Sequence, residues 1–244
     1  MDELAAMGTP GPPLTSVNDH DTIPGIAGMF LGHYGIAFGS KRVVPDTSLG
    51  TLAFAAQFLD ELWPILLLFG IEQVRIAPGA TRGNPLVFTS YPFSHSLAMA
   101  VLWGAIIGAI HYAARRNRRT ACVIALLVIS HWILDFPVHT ADLPLWPGGA
   151  TRVGLGLWNS IPATLILELG IFGGGLLLYI RQTRTRDRIG TWGLWSMVLV
   201  LLLIFASGYV TPPPPSPRAV AWTALGLWLF VPWSYWVDRH RERI

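Results

Sequence analysis

The stretch Ser130-His131-Trp132-Ile133-Leu134-Asp135 sets an imidazole and a carboxylate four residues apart in a segment otherwise apolar enough to cross a bilayer. At that spacing both side chains leave one face of a helix. Neither is stable in hydrocarbon without a partner. The same anomaly recurs in other apolar segments, which carry His33, Asp60, Glu61, His95 and Glu168, and no Lys or Arg lies in the interior of any of them. Carboxylates gathered in low dielectric must bind protons or share a cation. Histidine and carboxylate without thiolate suit zinc, manganese or iron. One or two divalent metals, zinc first among them, are the simplest source of the missing charge.

His33, His95, His131, Asp135 and Glu168 are the candidate ligands. Asp60 is the candidate catalytic carboxylate, bridging two metals or taking a proton from water. Glu61 ranks behind Asp60 because adjacent helical residues point about 100° apart. Each residue also has a plainer role. His131 and Asp135 could share a hydrogen bond that packs helices. His95, between Ser94 and Ser96, could sit at a helix cap. His33, between Gly32 and Tyr34, could serve close packing, and Glu168 could support a ligand from behind. His139 and Asp142 fall just past a span and read as loop residues, with Glu72 at the rim. Arg82 and Arg152 lie on loops outside the spans; they could hold an anionic group of a substrate or be solvated loop charges.

The elements that must position these groups follow from composition. Of the 244 residues 52% are hydrophobic and 13% charged, against about a quarter charged in soluble domains. Apolar runs cover 49–70, 94–113, 120–136, 158–180, 191–210 and 220–237, most of them near the ~20 residues that a spanning helix needs. A shorter glycine-rich run over 23–38 reads as a short span or a re-entrant helix. The expected fold is all-α: a polytopic bundle of six or seven transmembrane helices over residues 23–238. Residues 1–22, polar and proline-rich, read as a disordered tail without the basic flank and apolar core of a signal peptide. Residues 239–244 read as a basic cytoplasmic tail. The single cysteine, Cys122, allows no internal disulfide and no thiolate cluster; it reads as a small core residue.

Arginine sets the orientation. Arg115, Arg116, Arg118 and Arg119 fill one loop, Arg181, Arg184, Arg186 and Arg188 another, Lys41 and Arg42 a third, and Arg239, Arg241 and Arg243 the C-terminal end. The span lengths put all four clusters on one side, and positive charge near span ends marks the cytoplasm. The C terminus is therefore expected in the cytoplasm. The net charge of +3 follows from this topology and does not imply nucleic-acid binding. The implied partner is the lipid bilayer, and oligomeric state stays open.

Gly32-His33-Tyr34-Gly35, Asp60 after an apolar run, Ser94-His95-Ser96 and Ser130-His131-x-x-x-Asp135 together resemble the membrane-bound metal-dependent hydrolases, the YdjM-like proteins, over roughly residues 27–180. His131-x-x-x-Asp135 followed by Pro137-Val138-His139 is more distantly similar to the zinc phospholipase C and single-strand nuclease superfamily. These resemblances imply a bacterial inner-membrane protein whose helices hold a metal site that hydrolyses a phosphoester or other ester of a lipid-like substrate.

Two further functions are compatible with the same residues. Buried His and carboxylate chains also serve transporters and proton relays, and metal content separates these from a hydrolase. A structural membrane protein would use its polar residues only to join helices. A retinal protein is set aside, since the only lysine, Lys41, lies in a loop and no span offers a Schiff-base amine.

Overall fold

Residues 30–244 are described by a computed structural model. Helix α1 (Leu31–Ser40) is followed by α2 (Leu49–Leu68), a hairpin of β1 (Gln73–Ile76) and β2 (Leu86–Ser90), α3 (Leu97–Arg115) and α4 (Arg118–Val138). A two-residue pairing of β3 (Leu143–Pro144) with β4 (Arg152–Val153) precedes α5 (Ile161–Gln182). Strand β5 (Thr183–Thr185), α6 (Arg188–Val210), α7 (Pro217–Ala224), α8 (Phe230–Arg239) and β6 (Arg241–Arg243) complete the chain. A 3-10 segment, Leu225–Leu229, joins α7 to α8, so that Pro217–Arg239 acts as one broken span.

Six segments are long and apolar enough to cross a membrane: α2, α3, α4, α5, α6 and the broken span. The chain is thus an all-α polytopic membrane protein, as its composition predicts. Short polar side chains start the helices. Ser48, Ser96, Asn117, Asp187 and Ser216 each accept a hydrogen bond from a first-turn backbone N–H of α2, α3, α4, α6 and α7, which satisfies donors that a helix end leaves open. Outward faces remain apolar: Leu126, Ile133, Ile166, Leu199, Leu203 and Val210 are all exposed, the surface that a bilayer solvates.

Helix α1 is the exception. Its 10 residues reach about 15 Å, half the thickness of a hydrocarbon core of about 30 Å. The described residues alone are too short to cross, and nearly all of them are buried among the longer helices. Its N-terminal continuation over 23–29 lies outside the described residues, as does the tail assigned to 1–22. Backbone contact holds α1 in place. A Cβ on Gly35 would stand 2.5 Å from the Ile171 carbonyl oxygen of α5, and one on Gly175 would meet the Gly35 carbonyl. Only glycine at these two points permits that approach, which carries His33 into the bundle interior.

The segments between the spans carry structure of their own. Residues 72–93 and 140–157 each fold into an antiparallel pairing at the end of the bundle away from the arginine clusters. The basic segment 239–244 is also paired. Strand β6 pairs with β5, and Arg241 is buried, donating to the Thr183 Oγ1 and the carbonyls of Thr183 and Gly190. This pairing, with Lys41 Nζ 3.0 Å from Asp238 Oδ2, gathers three of the basic clusters on one side of the bundle. Finally, Cys122 is exposed rather than in the core. Helix α4 buries the stripe Ile124, Leu127, Val128, His131, Asp135 and Val138, and Cys122 falls off it, on the side of Leu126.

Candidate metal centre

His33, Asp60, His95, His131 and Asp135 come together from four elements: α1, α2, the turn before α3, and α4. His95 Nε2 lies 3.4 Å from Asp60 Oδ1 and 3.8 Å from Asp135 Oδ2. His131 Nε2 lies 3.5 Å from each of the same two oxygens. His33 Nε2 stands 3.3 Å from the other oxygen of Asp135, Oδ1. The His33 and His131 rings stack with centroids 3.7 Å apart.

The far edges of two imidazoles fix what their near edges offer. His131 Nδ1 is 2.8 Å from the carbonyl oxygen of Ala56. A carbonyl only accepts, so Nδ1 carries a proton and Nε2 faces the two carboxylates, offering a lone pair when the ring is neutral. For His95, Nδ1 is 2.7 Å from Ser94 Oγ, and that hydroxyl donates to Glu72 Oε2 at 2.6 Å. Ser94 has one proton and gives it to Glu72, so His95 Nδ1 must be the donor and Nε2 again offers a lone pair. Glu72 is fixed in turn by the backbone N–H groups of Phe93 and Ser94, both 2.8 Å from Oε1.

Neutral imidazoles and carboxylate oxygens facing one another repel unless a metal ion or a proton lies among them. The spacing fits that requirement. A charge-assisted hydrogen bond would close to about 2.7–2.9 Å, whereas these separations run from 3.3 to 3.8 Å. Four ligands at about 2.0–2.1 Å around a tetrahedral ion stand roughly 3.3–3.4 Å apart. His131 Nε2, both nitrogens of His33 and Asp135 Oδ2 are buried with no hydrogen-bond partner among the described residues, another mark of an absent counter-charge. Two overlapping triads could each hold a divalent ion: His95, His131 and Asp135, with Asp60 beside them, and His33, Asp60 and His131; three protein ligands leave a position open for water.

Glu168 has a different place. Its Oε2 accepts the Gly32 backbone N–H at 2.7 Å, tying α5 to the first turn of α1, and it belongs to neither of the clusters able to hold an ion. Glu61 turns away from Asp60 into the packed interior, both oxygens without a partner among the described residues, as the angle between helix neighbours predicts. His95 does not cap its helix. Ser96 does, through Met99 N, which leaves the His95 ring free to turn inward.

Asp60, His95 and Asp135 line a cavity of about 160 Å³, with Phe30, Trp63, Phe88 and Trp158 among its apolar walls and Ile204, Val220 and Leu227 on the side of α6 and the broken span. Asp60 is its most open carboxylate, the side chain 22% exposed against 3% for Asp135. Neither Arg82 nor Arg152 lines it; both are exposed, and Arg152 Nη1 donates to the carbonyl of Asp142.

Sequence reasoning placed Glu72 only at the rim and His139 and Asp142 in a loop. Glu72 is instead buried behind His95, and His139 lies on the cavity wall, its Nδ1 3.0 Å from Asp142 Oδ1. Tyr91 donates to the same Asp142 oxygen at 3.0 Å. Burial, and then the Asp142 carboxylate, raise the Tyr91 phenol well above its ordinary range, so it stays a donor. The His139–Asp142 spacing was a weak signal by itself; the partner Tyr91 had no signal in the local pattern, and Ser94 was marked only as a flank of His95.

The sequence model of a family described as YdjM inner membrane protein matches residues 77–212, more than half of the chain. The match starts later and runs further than the 27–180 suggested by motifs. It contains His95, His131 and Asp135 and leaves out His33 and Asp60. None of the matches extends to the phospholipase and nuclease superfamily. No curated protein and no solved structure matches the chain.

Proposed function

The chain belongs to the YdjM inner membrane protein family, and we propose that within it this protein is a metal-dependent hydrolase acting on a phosphoester or other ester of a lipid-like substrate. One observation carries the reading. Two imidazoles and two carboxylates converge inside a membrane bundle, and three of the four, Asp60, His95 and Asp135, line an apolar cavity. Zinc suits the histidine–carboxylate set and its spacing best, with manganese or iron as substitutes.

An ion held there would polarise the scissile group and bring the pKa of a water toward neutrality. The chain's own residues do the rest. His95 and His131 are locked in their ligand tautomers from behind, by Ser94 and by Ala56. Asp60, the most open of the carboxylates, takes the proton of the attacking water. Apolar walls take the hydrocarbon portion of the substrate and keep bulk water from the reacting bond. Arg82 and Arg152, exposed on the hairpin loops, are available to an anionic headgroup beyond the cavity. The arginine bias puts the C terminus in the cytoplasm and the cavity toward the outer face.

A proton relay is the competing reading, favoured by both oxygens of buried Glu61 and by Oε1 of buried Glu168, which have no partner among the described residues. Purified protein, stripped with chelator and reloaded with zinc, manganese or iron(II), separates the two. The hydrolase reading expects ester cleavage that disappears on stripping and returns on reloading. Proton translocation in liposomes that is indifferent to chelator, without ester cleavage, would establish the relay instead.

A further inference from the structure

His139 is left unused by the ligand set, yet it is among the most firmly oriented groups on the cavity wall. Its ring lies 4.1 Å from Trp158 and 5.1 Å from Phe88, centroid to centroid. Its Nδ1 meets Asp142 Oδ1 at 3.0 Å. Asp142 is held by the Tyr91 hydroxyl at the same oxygen and by Arg152 at its backbone carbonyl. A carboxylate accepts, so His139 Nδ1 donates, and Nε2 is the one polar atom of the ring left for the cavity. His139 lies outside both groups able to hold an ion. It follows Asp135 by one helical turn, with its backbone N–H on the Asp135 carbonyl. This is a histidine–aspartate pair facing the space where a substrate would lie, one turn beyond the ligands.

We propose that His139, oriented by Asp142, is the general acid that protonates the leaving-group oxygen of the substrate. The inference rests on the hydrolase reading and adds to it the group that completes the reaction. The water oxygen bonds to the phosphorus or acyl carbon, and its proton passes to Asp60. The bond to the leaving oxygen breaks, and its electron pair stays with that oxygen. The proton on His139 Nε2 moves to the same oxygen and releases an alcohol. Asp60 then returns its proton to solvent and His139 regains one. Ester and water become acid and alcohol, and both side chains end as they began. The Asp142 carboxylate fixes the ring so that Nε2 faces the cavity, and Tyr91 and Arg152 keep Asp142 turned toward it. The acid makes its greatest difference where the departing oxygen is a strongly basic alkoxide, so the substrate class is an alkyl ester rather than an anhydride or an aryl ester.

Leaving-group dependence tests this. Zinc-loaded wild type, His139→Gln and Asp142→Asn are assayed in detergent on matched pairs: the ethyl and p-nitrophenyl esters of hexadecyl phosphate and of palmitic acid. p-Nitrophenolate departs without a proton, so loss of a general acid spares it. The expected result is that His139→Gln slows the ethyl ester by about 100-fold or more and the p-nitrophenyl ester by only a few-fold. Bound metal should be unchanged, and Asp142→Asn should show the same pattern more weakly. Equal slowing of both esters, or loss of metal from His139→Gln, overturns the general-acid role and leaves the hydrolase reading intact. A wild type that cleaves none of the four esters overturns both. If His139→Gln fails to fold, Asp142→Asn decides by the same ratio.

Discussion

Glu72 and His95 are joined through the hydroxyl of Ser94, which donates to Glu72 at 2.6 Å and accepts from His95 at 2.7 Å. The chain of bonds begins at the start of the first hairpin and ends at the cavity. It determines which nitrogen of His95 can meet a metal, so a residue that never touches the ion should tune its binding. Ser94→Ala and Glu72→Gln are expected to weaken zinc affinity by about 10–100-fold, the usual cost of losing such support, while His95→Ala loses more. A competition titration with a chromophoric chelator reads this. Affinities equal to wild type would mean that His95 is not a ligand.

His131 and Asp135 act on one ion in this account, from one face of α4. His131→Ala and Asp135→Ala should each release most of the bound metal. The double substitution should release little more, because members of one unit are not additive. Metal analysis of the three purified variants checks it; independent, additive losses would place the two residues in separate sites.

The contact of Gly35 with the Ile171 carbonyl predicts a structural route to the same loss. Gly35→Leu would push α1 off α5 and carry His33 away from Asp135. Lower thermal stability in detergent and weaker metal binding are expected together, whereas leucine at neighbouring Gly170, where a Cβ meets nothing within 4 Å, should change neither. A Gly35→Leu protein as stable as wild type would contradict the packing described for α1.

Most of the architecture was legible in the sequence because hydrocarbon imposes a single period and a minimum length, and the six spans meet both. The central pair was legible for the same reason: charge within such a span has no bland surroundings to hide in, so His131 and Asp135 announce themselves. Asp60 could be separated from Glu61 by helix geometry alone. What could not be read was anything set by long-range packing. Glu72 lies 22 residues from Ser94, and nothing in either segment marks the pair. Glu168 read as a ligand or as support for one, and its bond to the Gly32 N–H had no mark in the sequence; a buried carboxylate near a metal site and one that anchors a helix look alike until the fold is closed. His139 and Asp142 look like loop residues because they follow the end of the span, and only the fold puts His139 on the cavity wall with Asp142 behind it.

Side of entry is a separate expectation. A reporter fused after Ile244, or a cysteine introduced in place of Asn117, should register as cytoplasmic, and a cysteine in place of Gly148 as outside. Impermeant thiol labelling of intact cells, in a background lacking the exposed Cys122, gives the result directly. The reverse labelling pattern would turn the cavity toward the cytoplasm.

Metal content bears most directly on the whole account. Detergent-purified protein, dialysed free of adventitious ions and shown to be folded, is measured by elemental analysis. Convergent lone pairs and carboxylates predict about one or two transition-metal ions per chain, zinc foremost, with the content collapsing in His131→Ala. A fully folded protein that contains no metal and takes up none from zinc, manganese or iron would contradict the central claim.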